Sequence, residues 1–413
     1  MLFYKKLAVK DVKMSNIIPI NENIYWVGVN DFETELFESI WPLPEGVCYN
    51  SYLINDEEVV LVDIVKHTTE KNFFEKLKKI LGPKKINYLI INHMEPDHSG
   101  ALKLLLALYP DIKIIGNEKT LNFVKLFYGI ETNCICVKNE EIIKIGKYEF
   151  EFHLTPMVHW PESMATYEKT HKLLFSSDIF GGFGTLNGGI FDDEVNLGFF
   201  ENEIRRYFSN VIGKYSSIAQ KVLTKIKTLD IDIIAPAHGP IFRKNPKYII
   251  DKYDKWSKQE TECGVVVIYA SMYGNTQIMA ESVARGLSEK GICNIRLYNV
   301  AKTHASYLIN DIWLFKGLIL GSCTYNTQIF PYMNNLLSLL ENKNLINRYI
   351  GIFGSYSWSG GALKGLKDFV ENSKLEKIEP DIEARCHPTD EDLDNCYLLG
   401  ENMAKKIFQD FKK

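Results

Sequence analysis

The sequence predicts an α/β protein of two domains: two packed sheets with helices outside them, then a doubly wound parallel sheet of five strands. Three observations carry this. At 413 residues the chain is too long for one ordinary hydrophobic core. Over its first 258 residues strand-like runs come first, then helices, then strands again, the order of sheets packed face to face. From residue 259 on, strands and helices mostly alternate, as crossovers between parallel strands require. The expected domains are therefore 1–258 and 259–413, joined by a short polar linker at 259–263.

Composition narrows the class. A net charge of −4 with no basic block gives nucleic acid no purchase as a partner. The apolar and charged fractions, 46% and 24%, are those of a soluble globular protein. Residues 1–15 carry scattered lysines but no continuous apolar core, so no secretory signal is read there. No run is long enough to cross a bilayer, and a cytoplasmic protein without a membrane partner is expected. The eight cysteines, at 48, 134, 136, 263, 293, 323, 386 and 396, form no Cys-x-x-Cys pair. A zinc ribbon, a rubredoxin-type iron site and a thioredoxin motif are therefore unsupported, and a chain of this size and compartment is not expected to carry a disulfide framework. Cys134 and Cys136 should share one face of a strand as small buried thiols.

In the first domain, the runs 24–29, 47–54 and 59–64 are rich in Val, Ile and Tyr and separated by turn residues, so each reads as a strand. Helical spacing over 68–81 is stopped by Gly82-Pro83. A strand at 86–92 then leads into His93-Met94-Glu95-Pro96-Asp97-His98, and a helix follows at 101–108. Four potential metal ligands crowd this turn. Pro96 excludes a helix interior, and in an extended stretch His93, Glu95 and Asp97 share a face while Met94 and Pro96 point away. Next come strand 112–115, helix 118–127, and strands 134–137, 148–154 and 172–176. Three more candidate ligands lie just past apolar β-rich runs, where a rigid sheet can hold them: His159, Asp178 and His238. His67, His153, His171, His304 and His387 have no such context and read as surface or hydrogen-bonded core residues. Helices at 201–212, 218–229 and 245–258 close the domain.

The second domain reads as strands 264–270, 293–298, 317–321, 349–354 and 375–378, with helices at 277–290, 332–340, from 362, and 392–411. Its first strand runs into Ser271-Met272-Tyr273-Gly274-Asn275-Thr276 and then a helix. This is neither a Walker loop nor Gly-x-Gly-x-x-Gly, yet free N–H groups and the helix dipole favour a phosphate there. Two further loops fall at the same carboxyl edge: 322–326, with Thr324, Tyr325 and Asn326, and 354–361, with Ser355, Tyr356, Ser357, Trp358, Ser359 and Gly360. Tyr325, Tyr356 and Trp358 suit a flat ring system, and Gly360 and Gly361 let backbone approach it.

His93-x-Glu95-x-Asp97-His98, with His159 sixty-six residues after His93, Asp178 nineteen later and His238 sixty later, resembles the metallo-β-lactamase-fold domain of flavodiiron proteins (A-type flavoproteins). The three later loops resemble a flavodoxin-like FMN site, so the resemblance spans essentially the whole chain. It implies that His93, Glu95 and His159 bind one iron, that Asp97 and His238 bind a second, and that Asp178 bridges them. His98 is implied as a ligand or as an outer partner of one. Hydrolases of the superfamily usually carry His where Glu95 stands; a carboxylate makes the site harder and more anionic, which favours iron. Tyr207, in an Arg206-Tyr207 pair like one in the family, is implied either as a proton or hydrogen-bond donor near the irons or as a packed tyrosine. Phe242 replaces a usual Trp and touches packing only. The first loop would hold the FMN phosphate, the other two its isoalloxazine.

What the resemblance implies is an oxidoreductase that reduces dioxygen to water, with reduction of nitric oxide to nitrous oxide as the close alternative. A zinc hydrolase carrying a flavodoxin domain is the rival from another class, and Glu95 argues against it. A flavodoxin-type carrier with a degenerate partner domain is the third, and the complete ligand set argues against that. No Cys-x-x-Cys follows the second domain, so a separate electron donor is expected: a rubredoxin, a ferredoxin or a nicotinamide-dependent reductase. A head-to-tail homodimer, or a dimer of dimers, is implied, with Trp358 at the interface.

Overall fold

The strand-rich first half folds into two main sheets, with two small two-stranded ones beside them, around one hydrophobic core. The computed structural model describes residues 17–411, so the segment read above as no secretory signal lies outside the described residues. In the first sheet Ile18–Asn21, Ile24–Trp26, Tyr52–Asn55 and Val59–Val62 pair antiparallel. Tyr88–Ile90, Lys113–Gly116 and Cys134–Cys136 extend it in parallel, each reached through a helical crossover. The second sheet runs Ile142–Ile145, Tyr148–Leu154, Met164–Glu168 and Leu173–Ser177 antiparallel, with Ile233–Pro236 parallel at its edge. Tyr148, Phe150 and Phe152 alternate into the core as period 2 requires, and Tyr52 meets Phe175 across the sheets at 5.2 Å.

Several expectations are corrected. The run 47–54 is two strands: Val47–Tyr49 pairs with Val29–Asp31, and Tyr52–Asn55 enters the large sheet. The break falls at Asn50, whose N–H donates to Ala237 O at 2.7 Å and whose side-chain amide donates to Pro236 O and Gly239 O. Asn50 thereby ties the first sheet to the segment that carries His238. Strands at Ile142–Ile145 and Met164–Glu168 were not expected; the latter, Met-Ala-Thr-Tyr-Glu, is buried on both faces and shows no alternation. Cys134 is half-buried and Cys136 exposed on an edge strand, so they are not core thiols. The helix expected over 201–212 is Leu197–Tyr207, started by Asn196, whose side chain accepts from Phe199 N, and followed by a π turn at Phe208–Ile212.

In the second half the parallel order is Ile295–Asn299, Glu262–Ala270, Phe315–Tyr325, Tyr349–Tyr356. The fifth place is shared by Glu376–Lys377 and Ile382–Arg385, between which Pro380 has no N–H to give. Val265 and Val267 face helices Asn275–Glu289 and Asp390–Phe411, whereas Val266 and Ile268 face the core that continues into the first domain. The unexpected helix Ala305–Leu314 lies in that continuous core. Leu308, Ile309, Ile312 and Trp313 bury it on more than one side, which removes the single apolar stripe that would have announced it. The linker is not a free polar stretch either: Gln259 is buried, donates to Asn344 O, and accepts from Ile346 N and Arg348 Nη1 at 3.0 and 2.8 Å.

Candidate metal and cofactor sites

His93 lies three residues past the strand Tyr88–Ile90, and Pro96–Ser99 is a short helix with Pro96 in its first turn. Proline excludes a helix interior but suits a helix start, so Asp97 and His98 ride on a helical turn rather than on an extended strand. The six residues therefore split. His93 and Glu95 join His159 and Asp178, and Asp97 and His98 join His238; within each group the donor atoms lie within 4.8 Å of one another.

Asp178 stands between the groups. Its Oδ2 is 3.2 Å from His93 Nε2 and 3.1 Å from His159 Nε2, while its Oδ1 is 3.1 Å from His98 Nε2 and 3.4 Å from His238 Nε2. Glu95 Oε2 faces the first imidazole pair at 3.2 and 3.0 Å, and Asp97 Oδ2 the second at 3.3 and 3.4 Å. Donors about 2.1 Å from a metal, set at right angles, lie about 3 Å apart, which is the spacing seen here. Both carboxylate oxygens of Asp97 and Asp178, and Nε2 of His98, His159 and His238, are buried and have no hydrogen-bond partner among the described residues. Such atoms are costly unless a cation meets them, so the donor set fits two metal ions.

The orientation of the imidazoles is fixed from behind. His93 Nδ1 lies 2.7 Å from Glu162 Oε1, which also accepts from Met94 N at 3.0 Å. His238 Nδ1 donates to Cys48 O at 2.7 Å. In both, the outer contact turns Nε2 toward the site. Asn92, just before His93, donates its backbone and side-chain N–H groups to Asp63 at 2.7 and 2.9 Å and accepts from Thr166 Oγ1 at 2.7 Å. Glu162, Cys48, Asn50 and Asp63 were not singled out from sequence. Only Glu162 carried a local signal, three residues past His159 beside Pro161.

Without metal the carboxylates favour the protonated forms of His93, His98 and His159. Burial, the largest influence, disfavours charge on His93, yet Asp178, Glu162 and Glu95 together raise it well above the usual histidine range. Burial likewise opposes ionisation of Asp178, but the surrounding imidazoles hold it well below the ordinary carboxylate range. Tyr207 lies beside His238 at 5.7 Å and among Phe37 and Phe183 at 5.8 and 5.2 Å. Its hydroxyl is buried with no hydrogen-bond partner among the described residues. Burial, and then the charges of Asp178, Glu95 and Asp97, keep it protonated. Phe242 is fully buried packing. Of the other histidines, His171 Nδ1 meets Glu168 at 2.8 Å, His387 Nδ1 meets Asn275 at 3.2 Å, His304 caps a helix by accepting from Ser306 N, and His153 is buried near Glu151.

At the carboxyl edge of the second sheet a pocket of about 310 Å³ is lined by Ser271, Met272, Tyr273, Asn275 and Thr276 from the first loop. Thr324, Tyr325 and Asn326 line it from the second loop, and Ser355, Tyr356, Ser357, Trp358 and Ser359 from the third. Gly274, at φ +96°, caps the helix Asn275–Glu289, and its N–H donates to Ser271 Oγ at 3.0 Å. Gly274 and Gly360 shape these loops rather than line the pocket. Thr276 Oγ1 and Ser355 Oγ, 2.9 Å apart, join the first and third loops. Tyr273 and Trp358 are 90% and 82% exposed. Cys323, Thr327 and Cys386 also line the pocket; Cys386 follows Ile382–Arg385, a strand the sequence reading lacked.

The segment 47–239 matches the ODP family beta lactamase model, and 267–400 matches flavodoxin. The chain is 34% identical over 399 residues to a nitric oxide reductase of Moorella thermoacetica, covering 95% of this chain and 100% of that one. Among solved structures it is similar to the rubredoxin oxygen:oxidoreductase of the anaerobe Desulfovibrio gigas, with a TM-score of 0.92 and 27% identity over 96% of this chain and 100% of that one. The flavodiiron protein of Giardia intestinalis is matched at a TM-score of 0.91 with 27% identity, over 97% and 98% of the two chains. Two domain matches, end-to-end likeness to such proteins and two adjoining donor groups agree: the chain belongs to the flavodiiron proteins, as an oxidoreductase that joins a metallo-β-lactamase-like diiron domain to an FMN-binding flavodoxin domain.

Proposed function

We propose that this flavodiiron protein reduces dioxygen to water. One iron would be held by His93, Glu95 and His159, the other by Asp97, His98 and His238, with Asp178 shared between them. The observation that carries this reading is the division of Asp178, one oxygen toward each imidazole pair. It supports two adjacent ions rather than one. Glu95 and Asp97 give each ion a carboxylate besides the shared one, a hard donor set that suits iron over zinc. A reduced iron pair supplies two electrons and reduced FMN two more, together the four that dioxygen requires.

The chain's own residues do the rest. Glu162 and Cys48 O aim two of the imidazoles. Phe37, Tyr49 and Phe183 wall the site with apolar edges around His238 and Tyr207. Tyr207 keeps its proton, and its unpaired O–H, near enough to feel the charges of Asp178, Glu95 and Asp97, would serve as a hydrogen-bond donor to a bound oxygen or nitrogen ligand. The exposed aromatics Tyr273 and Trp358 at the FMN pocket support a head-to-tail assembly in which the flavin of one chain serves the irons of its partner. Electrons would reach FMN from a rubredoxin, a ferredoxin or a nicotinamide-dependent reductase. The eight cysteines are all unpaired, which fits the reducing cytoplasm, and among the described residues no helix is long and apolar enough to cross a membrane.

Nitric oxide reduction is the second reading, favoured by the name of the Moorella relative. Stopped-flow reoxidation of the fully reduced, iron-loaded protein by each gas separates the two. The expected result is faster reaction with dioxygen and little hydrogen peroxide. Stoichiometric peroxide would defeat the proposal, because it would mean that flavin alone reacts.

A further inference from the structure

The helix that carries Tyr207 is gripped from the other domain. Leu197–Tyr207 runs directly into the π turn Phe208–Ile212, a rare distortion that recurs at functional sites. Lys343, from the flavodoxin domain, donates through Nζ to Asn210 O in that turn at 2.5 Å, and Asn210 Nδ2 donates to Ser306 O at 3.1 Å. Lys343 is 7% exposed and has no carboxylate within salt-bridge distance among the described residues. An ammonium buried this way is costly unless its donors are used; the carbonyl of Asn210 takes one of them, and the ring of Trp41 lies 5.9 Å from Nζ. Just past the turn, Trp313 closes over Gly213, where a Cβ would come within 2.9 Å of the indole.

The residue before Tyr207 is held from the same side. Arg206 is bound to Glu203 at 3.0 and 2.6 Å, and donates to Pro42 O at 3.0 Å and Ser306 Oγ at 3.4 Å. Its guanidinium lies between Phe183, in its own domain, and Tyr307, in the flavodoxin domain, at 4.3 and 4.8 Å. Both flanks of Tyr207 are therefore anchored across the domain boundary, while its own hydroxyl has no hydrogen-bond partner among the described residues.

We propose that the flavodoxin domain sets the position of Tyr207 at the diiron site of its own chain, with Lys343 and Arg206 as positioning residues. This rests on the reading of Tyr207 as a hydrogen-bond donor at that site. Each flavodoxin domain then has a structural task within its chain besides carrying FMN. The physical lever is helix register. A slip of one residue rotates a helix by about 100°, enough to move the Tyr207 ring off its place beside His238. Lys343 holds the carbonyl that such a slip would re-pair.

The test uses the full chain loaded with iron and FMN, with nitric oxide bound to the reduced iron as the probe. Its N–O stretching frequency responds to a neighbouring O–H donor. Lys343→Met and Tyr207→Phe should shift that frequency in the same direction and by similar amounts, with iron and FMN contents unchanged, and Lys343→Arg should keep the native frequency. If Tyr207→Phe shifts it and Lys343→Met does not, the positioning role is wrong and the reading of Tyr207 stands. If Tyr207→Phe leaves it unshifted, both fall. Should Lys343→Met fail to fold, Tyr307→Leu, which opens the stack around Arg206 without removing a buried charge, is read in the same way.

Discussion

At the candidate metal site seven side chains from distant parts of the chain converge on two points, whereas the candidate flavin pocket is formed by loops at one sheet edge. The first is buried and oriented by outer hydrogen bonds, as with Glu162 behind His93. The second keeps Tyr273 and Trp358 in solvent and draws on a helix N-terminus and close-approaching backbone. The difference teaches where identity matters. A donor set of side chains cannot lose a member without leaving buried charges unmatched, but a loop pocket spreads its contacts over many groups, several of them backbone. Substitutions should therefore act steeply in one region and shallowly in the other.

The steepest effect is expected at Asp178. Its two oxygens serve both groups, so Asp178→Ala should remove both irons while FMN stays bound. Metal analysis and flavin absorbance on one sample check this. A variant that keeps one iron at full occupancy would break the claim that the carboxylate is shared.

Next in size is a pH effect confined to the metal site. In the metal-free protein burial opposes charge on His98 and His159, but the nearby carboxylates, Asp97 and Asp178 for the first and Asp178 and Glu95 for the second, lift them to about 9 and about 10. Both values lie above the unfolded histidine value. Their contribution to metal-free stability is therefore fully present below about pH 6.5 and lost as pH rises through 9 to 10. Iron must displace those protons, so its apparent affinity should rise about tenfold per pH unit for each proton released, up to that range. Reconstitution titrations from pH 6 to 9 measure the slope. A flat profile would mean that the imidazoles are not protonated in the metal-free protein.

A smaller loss is expected one layer out. Glu162→Gln keeps the shape but removes the charge behind His93, and should weaken iron binding by about 10- to 100-fold, the usual range for such outer partners. Chelator competition reads it, and flavin content should not change.

The same contrast governs what the sequence disclosed. Candidate ligands at sheet ends follow runs that are plainly β, so His93, Asp178 and His238 could be proposed from the sequence. Their outer partners could not, because Asn50, Asp63 and Cys48 act through contacts with segments far away in the chain. Asn50 to Gly239 spans 189 positions, and no local pattern encodes such a pair. The hexapeptide misled in one respect: alternation suits a strand, but Pro96 begins a helix and sends Asp97 and His98 to the second group. Helix Ala305–Leu314 was hidden because both domains bury it, and strand Met164–Glu168 because both its faces are covered. Amphipathic pattern reports a surface, and these elements have little of one.

The shallowest effect is expected where the flavin loops are cross-linked. Thr276, almost fully buried, places its Oγ1 2.9 Å from Ser355 Oγ and so joins the helix N-terminus to the third loop. Thr276→Val keeps the volume and branching and removes this one hydrogen bond. Ser355 lines the pocket, so its hydroxyl can turn to the bound ligand or to water instead of being stranded. The cost should then stay near that of a single neutral hydrogen bond, about 1 kcal/mol, or roughly fivefold in FMN affinity. Backbone N–H groups around Gly274 and the helix dipole remain, and they are the part of a phosphate site that a side-chain substitution cannot remove. Fluorescence titration of flavin-free protein with FMN gives the number, and iron content serves as the control. A fall of a hundredfold or more would show that this pocket, like the metal site, depends on single side chains, and the contrast between the two regions would not hold.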